Sequence, residues 1–231
     1  MPDHTTAWRK NKAYFSGLLL LVISGIVLLL LMGKSAVFIS LNSYHPFWLN
    51  VFFINYTFVG DGIFAIGMIV VYFLYFRKKK EAMTLLYAFL ISGITVQIIK
   101  NLVNAPRPRL FFEQGQYMFF LDGVSLSNNS SFPSGHTATA FAIATIMILF
   151  LKNKKWQMPI LLAAALVGYS RIYLAQHFLI DVLIGAIIGT ISGFVAFYLV
   201  TNFKGIKLAF KKIHHIETEL SRPTEGTMQP I

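Results

Sequence analysis

Three stretches of this 231-residue chain gather side chains that bind and attack anions, and each closes or opens a long apolar segment. The first is Lys100-Asn101-Leu102-Val103-Asn104-Ala105-Pro106-Arg107-Pro108. Its Gln97, Lys100, Asn101 and Asn104 recur at helical spacing, a polar stripe able to face a bundle interior. The second is Pro133-Ser134-Gly135-His136, a turn leading into a helix, whose free N–H groups and positive dipole end make an anion seat. The third is Ser170-Arg171, then His177, then Asp181. His177 and Asp181 stand at i and i+4, where the carboxylate can hold one imidazole nitrogen on a shared helical face. Three cations, N–H donors, two histidines and a carboxylate fit an anion with several equatorial oxygens, and phosphate fits best. A histidine backed by aspartate serves as nucleophile or base, and a second histidine supplies the acid. The residues themselves thus point to phosphoryl transfer through a phosphohistidine.

Lys-x6-Arg-Pro, Pro-Ser-Gly-His and Ser-Arg-x5-His-x3-Asp, in that order, resemble the three signature motifs of the type 2 phosphatidic acid phosphatase superfamily, which also contains soluble vanadium haloperoxidases. The resemblance covers Lys100 to Asp181, with no departure at any motif position. It implies that His177 attacks phosphorus and that Asp181 fixes its tautomer. It further implies that His136 protonates the leaving group and then activates water. Lys100, Arg107, Arg171, the Ser134 hydroxyl and the Gly135 N–H would clamp the equatorial oxygens. Implied substrates are lipid phosphates: undecaprenyl pyrophosphate, phosphatidylglycerol phosphate, phosphatidic acid or lipid A phosphates. The motifs read phosphate and not tail, so they do not choose among these. Nor do they separate a hydrolase from a phosphotransferase with a lipid or sugar acceptor. A non-enzymatic lipid-phosphate binder or translocase is the third reading.

What positions these residues is a membrane bundle. The chain is 56% hydrophobic and 13% charged, with mean hydropathy +0.64, against about 25% charged for an average soluble domain. Spans are expected at Ala13–Met32, Val51–Phe76, Ala82–Val103, Thr137–Leu151, Met158–Tyr173 and Leu179–Val200, an all-α polytopic architecture of six transmembrane helices. The first is too long for a signal h-region and lacks a cleavage site, so it reads as retained. Fifteen of the twenty Lys and Arg fall in segments on one side of that arrangement. Lys34, Lys100, Arg107, Arg109 and Arg171 fall on the other. Positive-inside bias puts both termini in the cytoplasm and the site on the outer face. The compact size and short tails favour a bacterial inner membrane.

The formal charge of +11 is therefore a topology signal, with no nucleic-acid partner implied. The basic cluster Lys204, Lys207, Lys211 and Lys212 is part of it, with contact to anionic lipid as the alternative. With no cysteine and nine scattered acidic residues, no metal or other cofactor is expected. Residues 1–203 are expected to form the membrane domain, with the outer loop 104–136 carrying part of the site. Residues 204–231 form a basic tail, disordered at its end. Aromatic runs at Leu110–Phe112 and Tyr117–Phe120 suit a segment resting in the interface. Gly60-Asp61-Gly62 interrupts the second span; there Asp61 either orients a catalytic cation or headgroup, or caps a restarted helix. Gly185, Gly189 and Gly193 form a small-residue face, expected to pack within the chain rather than across a dimer; the oligomeric state is not legible.

Overall fold

A computed structural model describes residues 9–112, 121 and 130–202, and every regular element among them is helical. The aromatic run Tyr117–Phe120, most of the polar stretch Asp122–Ser131 and the tail beyond Asn202 lie outside the described residues. The chain divides into two compact units, Met1–Phe197 and Tyr198–Ile231. In the second, the described residues 198–202 are helical.

Helix α1 (Lys12–Leu41) runs well past the expected end at Met32. The reason is Gly33, whose φ of 77° and ψ of 163° kink the helix without ending it. Nothing lies within 4 Å of the position a Cβ would take there, so glycine serves the backbone angle rather than packing. The second apolar segment is broken, as Gly60-Asp61-Gly62 suggested. It consists of α2 (Phe47–Tyr56), a 3₁₀ turn (Thr57–Gly60), α3 (Gly62–Val70) and a π-helical turn (Val71–Tyr75). Its halves meet at 57°. Helix α4 (Lys79–Val103) stops at Asn104, which takes the left-handed conformation (φ 41°) that asparagine tolerates. Short α5 (Pro108–Phe111) begins on a proline, whose missing N–H is unneeded in a first turn. Helices α6 (Gly135–Phe150), α7 (Gln157–Tyr173) and α8 (Leu179–Asn202) complete the order.

This is an integral membrane protein with several apolar helices. By length and composition α1, the run Lys79–Phe111 and α8 can each cross a bilayer, and the bent α2–α3 segment makes a fourth if taken as one span. At 16 and 17 residues, α6 and α7 are shorter, and their ends extend little beyond those expected from the sequence. Helix α1 turns Leu19, Leu20, Leu30 and Leu31 outward, which a bilayer tolerates and water does not.

The centre of the fold is α6, with eleven of its sixteen residues buried. Between apolar helices in lipid, close van der Waals packing replaces the hydrophobic drive, so small side chains govern approach. A Cβ at Gly185 would stand 2.6 Å from the Ser134 carbonyl oxygen, and one at Gly189 would stand 2.2 Å from that of Ala138. At Gly193 it would meet the Thr145 Cβ at 2.8 Å. The glycine face of α8 therefore packs against α6 of the same chain. On another side, Tyr14, Phe15 and Leu18 of α1 pack with Phe141 and Ile148 of α6 and with Leu161 and Val167 of α7. Asn42, fully buried, donates to the carbonyls of Ile172 and Tyr173 at 2.8 and 2.7 Å, capping the end of α7 just beyond Arg171.

Candidate active site

The end of α7 and the start of α8 bring the third motif together. Arg171 lies in the last turn of α7, and Ala175 takes a positive φ of 52° in the turn that follows. His177 precedes α8, and Asp181 sits in that helix's first turn. The expected shared helical face is thus not how they meet. Asp181 Oδ2 accepts the Phe178 N–H at 2.9 Å and in doing so closes the turn that carries His177. His177 Nδ1 then lies 3.5 Å from the same oxygen, at the outer limit of a hydrogen bond. Ser131 adds a second hydrogen-bond donor, its hydroxyl reaching Asp181 Oδ2 at 2.6 Å. A local sequence pattern could not reveal Ser131, because its partner lies fifty residues on.

The second motif is a capped helix start. Ser134 is fully buried at the N-cap of α6. Its Oγ accepts the Thr137 hydroxyl at 2.8 Å and the Thr137 N–H at 3.4 Å, leaving its own hydrogen to be donated. Gly135 follows as the first helical residue. A Cβ there would meet only Val96, at an ordinary 3.7 Å, so the protein's own packing does not require glycine.

The cations come from three directions. Lys100 continues the inward row Ala88, Ser92 and Val96 of α4 and is half-buried. The expected polar stripe does not face inward as a whole: Gln97, Asn101 and Asn104 are exposed, and Gln97 donates to Asn101 at 3.0 Å. The interior row runs one residue behind the stripe, and Lys100 is the stripe member that it includes. Arg107 donates to the buried Gln176 at 2.6 Å, a partner the motifs do not contain. Arg171 is buried and donates from Nη1 to Thr57 at 2.6 Å, while its buried Nε has no hydrogen-bond partner among the described residues. An orphaned guanidinium N–H is costly unless an anion takes it.

Both histidines register this surplus of positive charge. Burial, then the charges of Arg171, His177, Lys100 and Arg107, hold His136 down to about 3. Burial likewise holds His177 down to about 4, against the pull of Asp181 toward a higher value. Both rings are therefore neutral near pH 7 in the free protein, the form a nucleophile or base requires.

Of the two roles expected for Asp61, the structure shows the cap, and it adds a neighbour. Its Oδ1 caps α3 by accepting the Ile63 N–H at 2.8 Å, and its Oδ2 stands 3.6 Å from His136 Nε2. Lys34, read from sequence as no more than an outer-side charge, sits over the rings of Phe178 at 3.8 Å and Phe111 at 4.6 Å. Lys34 directly follows the Gly33 kink. Arg109 is exposed and stands apart from these contacts. Among the described residues no three His, Asp or Glu side chains are grouped to hold a metal ion.

The same segment of chain matches known proteins. The chain is 32% identical over 162 residues to lipid phosphate phosphatase 1 of Arabidopsis thaliana, covering 56% of this chain and 50% of that one. It thus spans about half the length of that relative. With phosphatidylglycerophosphatase B of Bacillus subtilis it shares 29% identity over 170 residues, 68% of this chain and 75% of that protein. Its fold is similar to the crystal structure of the first transmembrane PAP2 type phosphatidylglycerolphosphate phosphatase from Bacillus subtilis, with TM-score 0.62 and 26% identity over 84% of this chain and 98% of that one. The model of the PAP2 superfamily matches residues 81–204, a stretch containing all three motifs and more than half of the chain. The chain belongs to the PAP2 superfamily, the family of the membrane lipid phosphatases that it matches.

Proposed function

We propose that this protein is a membrane lipid phosphatase that hydrolyses a lipid-linked phosphate monoester or pyrophosphate through a phosphohistidine. The observation that carries this reading is the buried Nε–H of Arg171, unpaired among the described residues, beside two neutral histidines and the cations Lys100 and Arg107. Such a cage fits an anion, and the family supplies lipid phosphates as the class.

With its Nδ1 toward Asp181, His177 attacks phosphorus from Nε2. A P–N bond forms as the bond to the leaving oxygen breaks, and His136 gives that oxygen a proton. Water then attacks phosphorus on the opposite course. His136 takes its proton, the P–N bond breaks, and inorganic phosphate leaves. Lys100, Arg107, Arg171, the Ser134 hydroxyl and the Gly135 N–H hold the equatorial oxygens, whose charge they are placed to stabilise. Every group in this sequence belongs to the protein or substrate, and no metal is assigned a step.

The topology belongs to the same reading: six spans with the shorter α6 and α7 crossing inside the bundle, both termini cytoplasmic, and the site at the outer leaflet of a bacterial inner membrane. The charge asymmetry supports it, as does the burial of α6 on all sides. Substrates carried by relatives, phosphatidylglycerol phosphate and plant lipid phosphates among them, are the first to try. The test is phosphate release by the purified protein in detergent with EDTA, over a panel of lipid phosphates, with His177→Ala as blank. Turnover lost in the variant supports the reading. Transfer of the phosphate to an added lipid or sugar hydroxyl, without phosphate release, would make the protein a phosphotransferase instead.

A further inference from the structure

We propose that the break in the second apolar segment, Thr57 to Asp61, is a fourth part of the active site. In this assignment Asp61 is the positioning partner of His136, and Thr57 is that of Arg171. The inference rests on the reading of His136 as the proton donor to the leaving group and of Arg171 as a phosphate clamp.

Three contacts from five consecutive residues converge on the two motifs. Thr57 Oγ1 receives the Arg171 Nη1–H at 2.6 Å, which aims a guanidinium whose Nε is left for a ligand. Gly60 presses on the start of α6 so closely that a Cβ would stand 2.7 Å from the His136 carbonyl oxygen and 2.6 Å from Val167 Cγ1. Asp61 Oδ2 faces His136 Nε2 at 3.6 Å. That is an ion-pair distance rather than a hydrogen bond, and such catalytic contacts commonly tighten when substrate binds. The backbone makes the arrangement stiff. Asp61 is extended (φ −77°, ψ 151°) at the 57° bend, and its other carboxylate oxygen is committed to the Ile63 N–H at 2.8 Å. The carboxylate therefore cannot turn away from His136 without uncapping α3.

The chemical consequence follows from what surrounds the ring. His136 is faced by Arg171 from α7, His177 from the α7–α8 turn, Lys100 from α4 and Arg107 from the α4–α5 connection, and every charged group among them disfavours its protonated form. Asp61 is the negative group that faces it from the α2–α3 bend. With Nε2–H held toward Asp61, proton exchange with the substrate falls to Nδ1. The site then has two imidazole–carboxylate pairs of opposite duty. Asp181 steadies a nucleophile, and Asp61 favours an acid that the phosphate clamp would otherwise keep unprotonated.

The leaving group separates this role from a structural one. An alkoxide leaving from dioctanoyl phosphatidic acid needs a proton, whereas the nitrophenolate of p-nitrophenyl phosphate leaves without one. Asp61→Asn keeps an acceptor oxygen for the Ile63 N–H and removes the charge. It should lower kcat on the lipid by roughly tenfold or more and move the alkaline limb of that pH profile to lower pH, as loss of about one unit in the acid's pKa requires. On p-nitrophenyl phosphate it should change kcat little, and Asp61→Glu should restore part of the lipid activity. Thr57→Val should act through the clamp instead, raising KM on both substrates with the pH limbs in place. If Asp61→Asn loses both activities equally with an unmoved pH profile, or loses neither, the positioning role is wrong. His136→Ala on the lipid tells this apart from failure of the underlying reading. A variant that retains turnover removes the acid role itself, whereas an inactive one beside an unaffected Asp61→Asn removes the Asp61 proposal alone.

Discussion

The backbone carbonyl of Asp181 accepts the Ser134 N–H at 3.0 Å, while the Asp181 carboxylate lies 3.5 Å from His177 Nδ1. One residue therefore ties Ser134 at the start of α6 to His177 before α8. The glycine face of α8 allows this, since a side chain at Gly185 would collide with the Ser134 carbonyl. Positioning of the reacting groups is set by helix packing as much as by the motifs themselves.

Ser131 tests how far Asp181 is itself held. Its hydroxyl is one of two hydrogen-bond donors on Asp181 Oδ2, the other being the Phe178 N–H. Ser131→Ala should lower kcat by about tenfold, the equivalent of one net buried hydrogen bond to a charged group, with KM nearly unchanged. Steady-state kinetics on a lipid phosphate in detergent measure it.

The two glycines next to Ser134 should differ in what their substitution does to stability. Gly135→Ala meets only Val96 at an ordinary contact distance, so thermal stability should stay near that of the parent. Activity should fall, because the added methyl covers an N–H meant for a phosphate oxygen; loss of one such donor commonly costs about 2.7–4 kcal/mol of transition-state stabilisation. Gly185→Ala strikes the Ser134 backbone at 2.6 Å and should lower both stability and activity. Melting temperature in detergent and phosphate release, read side by side, separate them.

Acid should disable the free protein late. His177 is held down to about 4, so its neutral, attacking form persists well below the ordinary histidine range, and the acid limb of kcat/KM should lie near pH 4 rather than 6.5. His136, held down to about 3 by burial and the clamp cations, should protonate more readily once a phosphate offsets those charges. Lys100→Met removes one of the opposing charges. It should move the alkaline limb assigned to His136 to higher pH while lowering overall turnover. For stability the sign is the same for both rings. Their folded values lie below the unfolded 6.5, so the unfolded chain binds more protons. Melting temperature should therefore fall as pH drops from 6.5 toward 4. A flat profile over that window would contradict the burial of neutral histidines.

How much of this was legible in the sequence depends on range. Motif residues announce themselves through type and spacing: Lys100, Arg107, Arg171 and His177 lie near enough to His136 for their charges to act on it, and Asp181 meets both His177 and Ser134. The break at Asp61 was legible because two glycines flank a carboxylate in an apolar run. Thr57, Ser131 and Gln176 were not, since ordinary polar residues gain meaning only from partners 114, 50 and 69 positions away. The inward face of α4 was misjudged for a related reason. Polar spacing marked Gln97, Asn101 and Asn104, but the buried row is set by the small and apolar Ala88, Ser92 and Val96 that pack on α6. The length of α1 turned on a single glycine angle, which hydropathy does not encode.

A covalent phosphohistidine at His177 is the claim on which the mechanism stands. It can be sought with ³²P-labelled p-nitrophenyl phosphate, whose leaving group needs no acid, in the His136→Ala variant, where water lacks its base. A burst of one nitrophenolate per active protein is expected, with an acid-labile, base-stable label on the peptide containing His177. Neither burst nor label should appear when His177 is replaced. Steady turnover without a burst in that variant, or label on another residue, would contradict it.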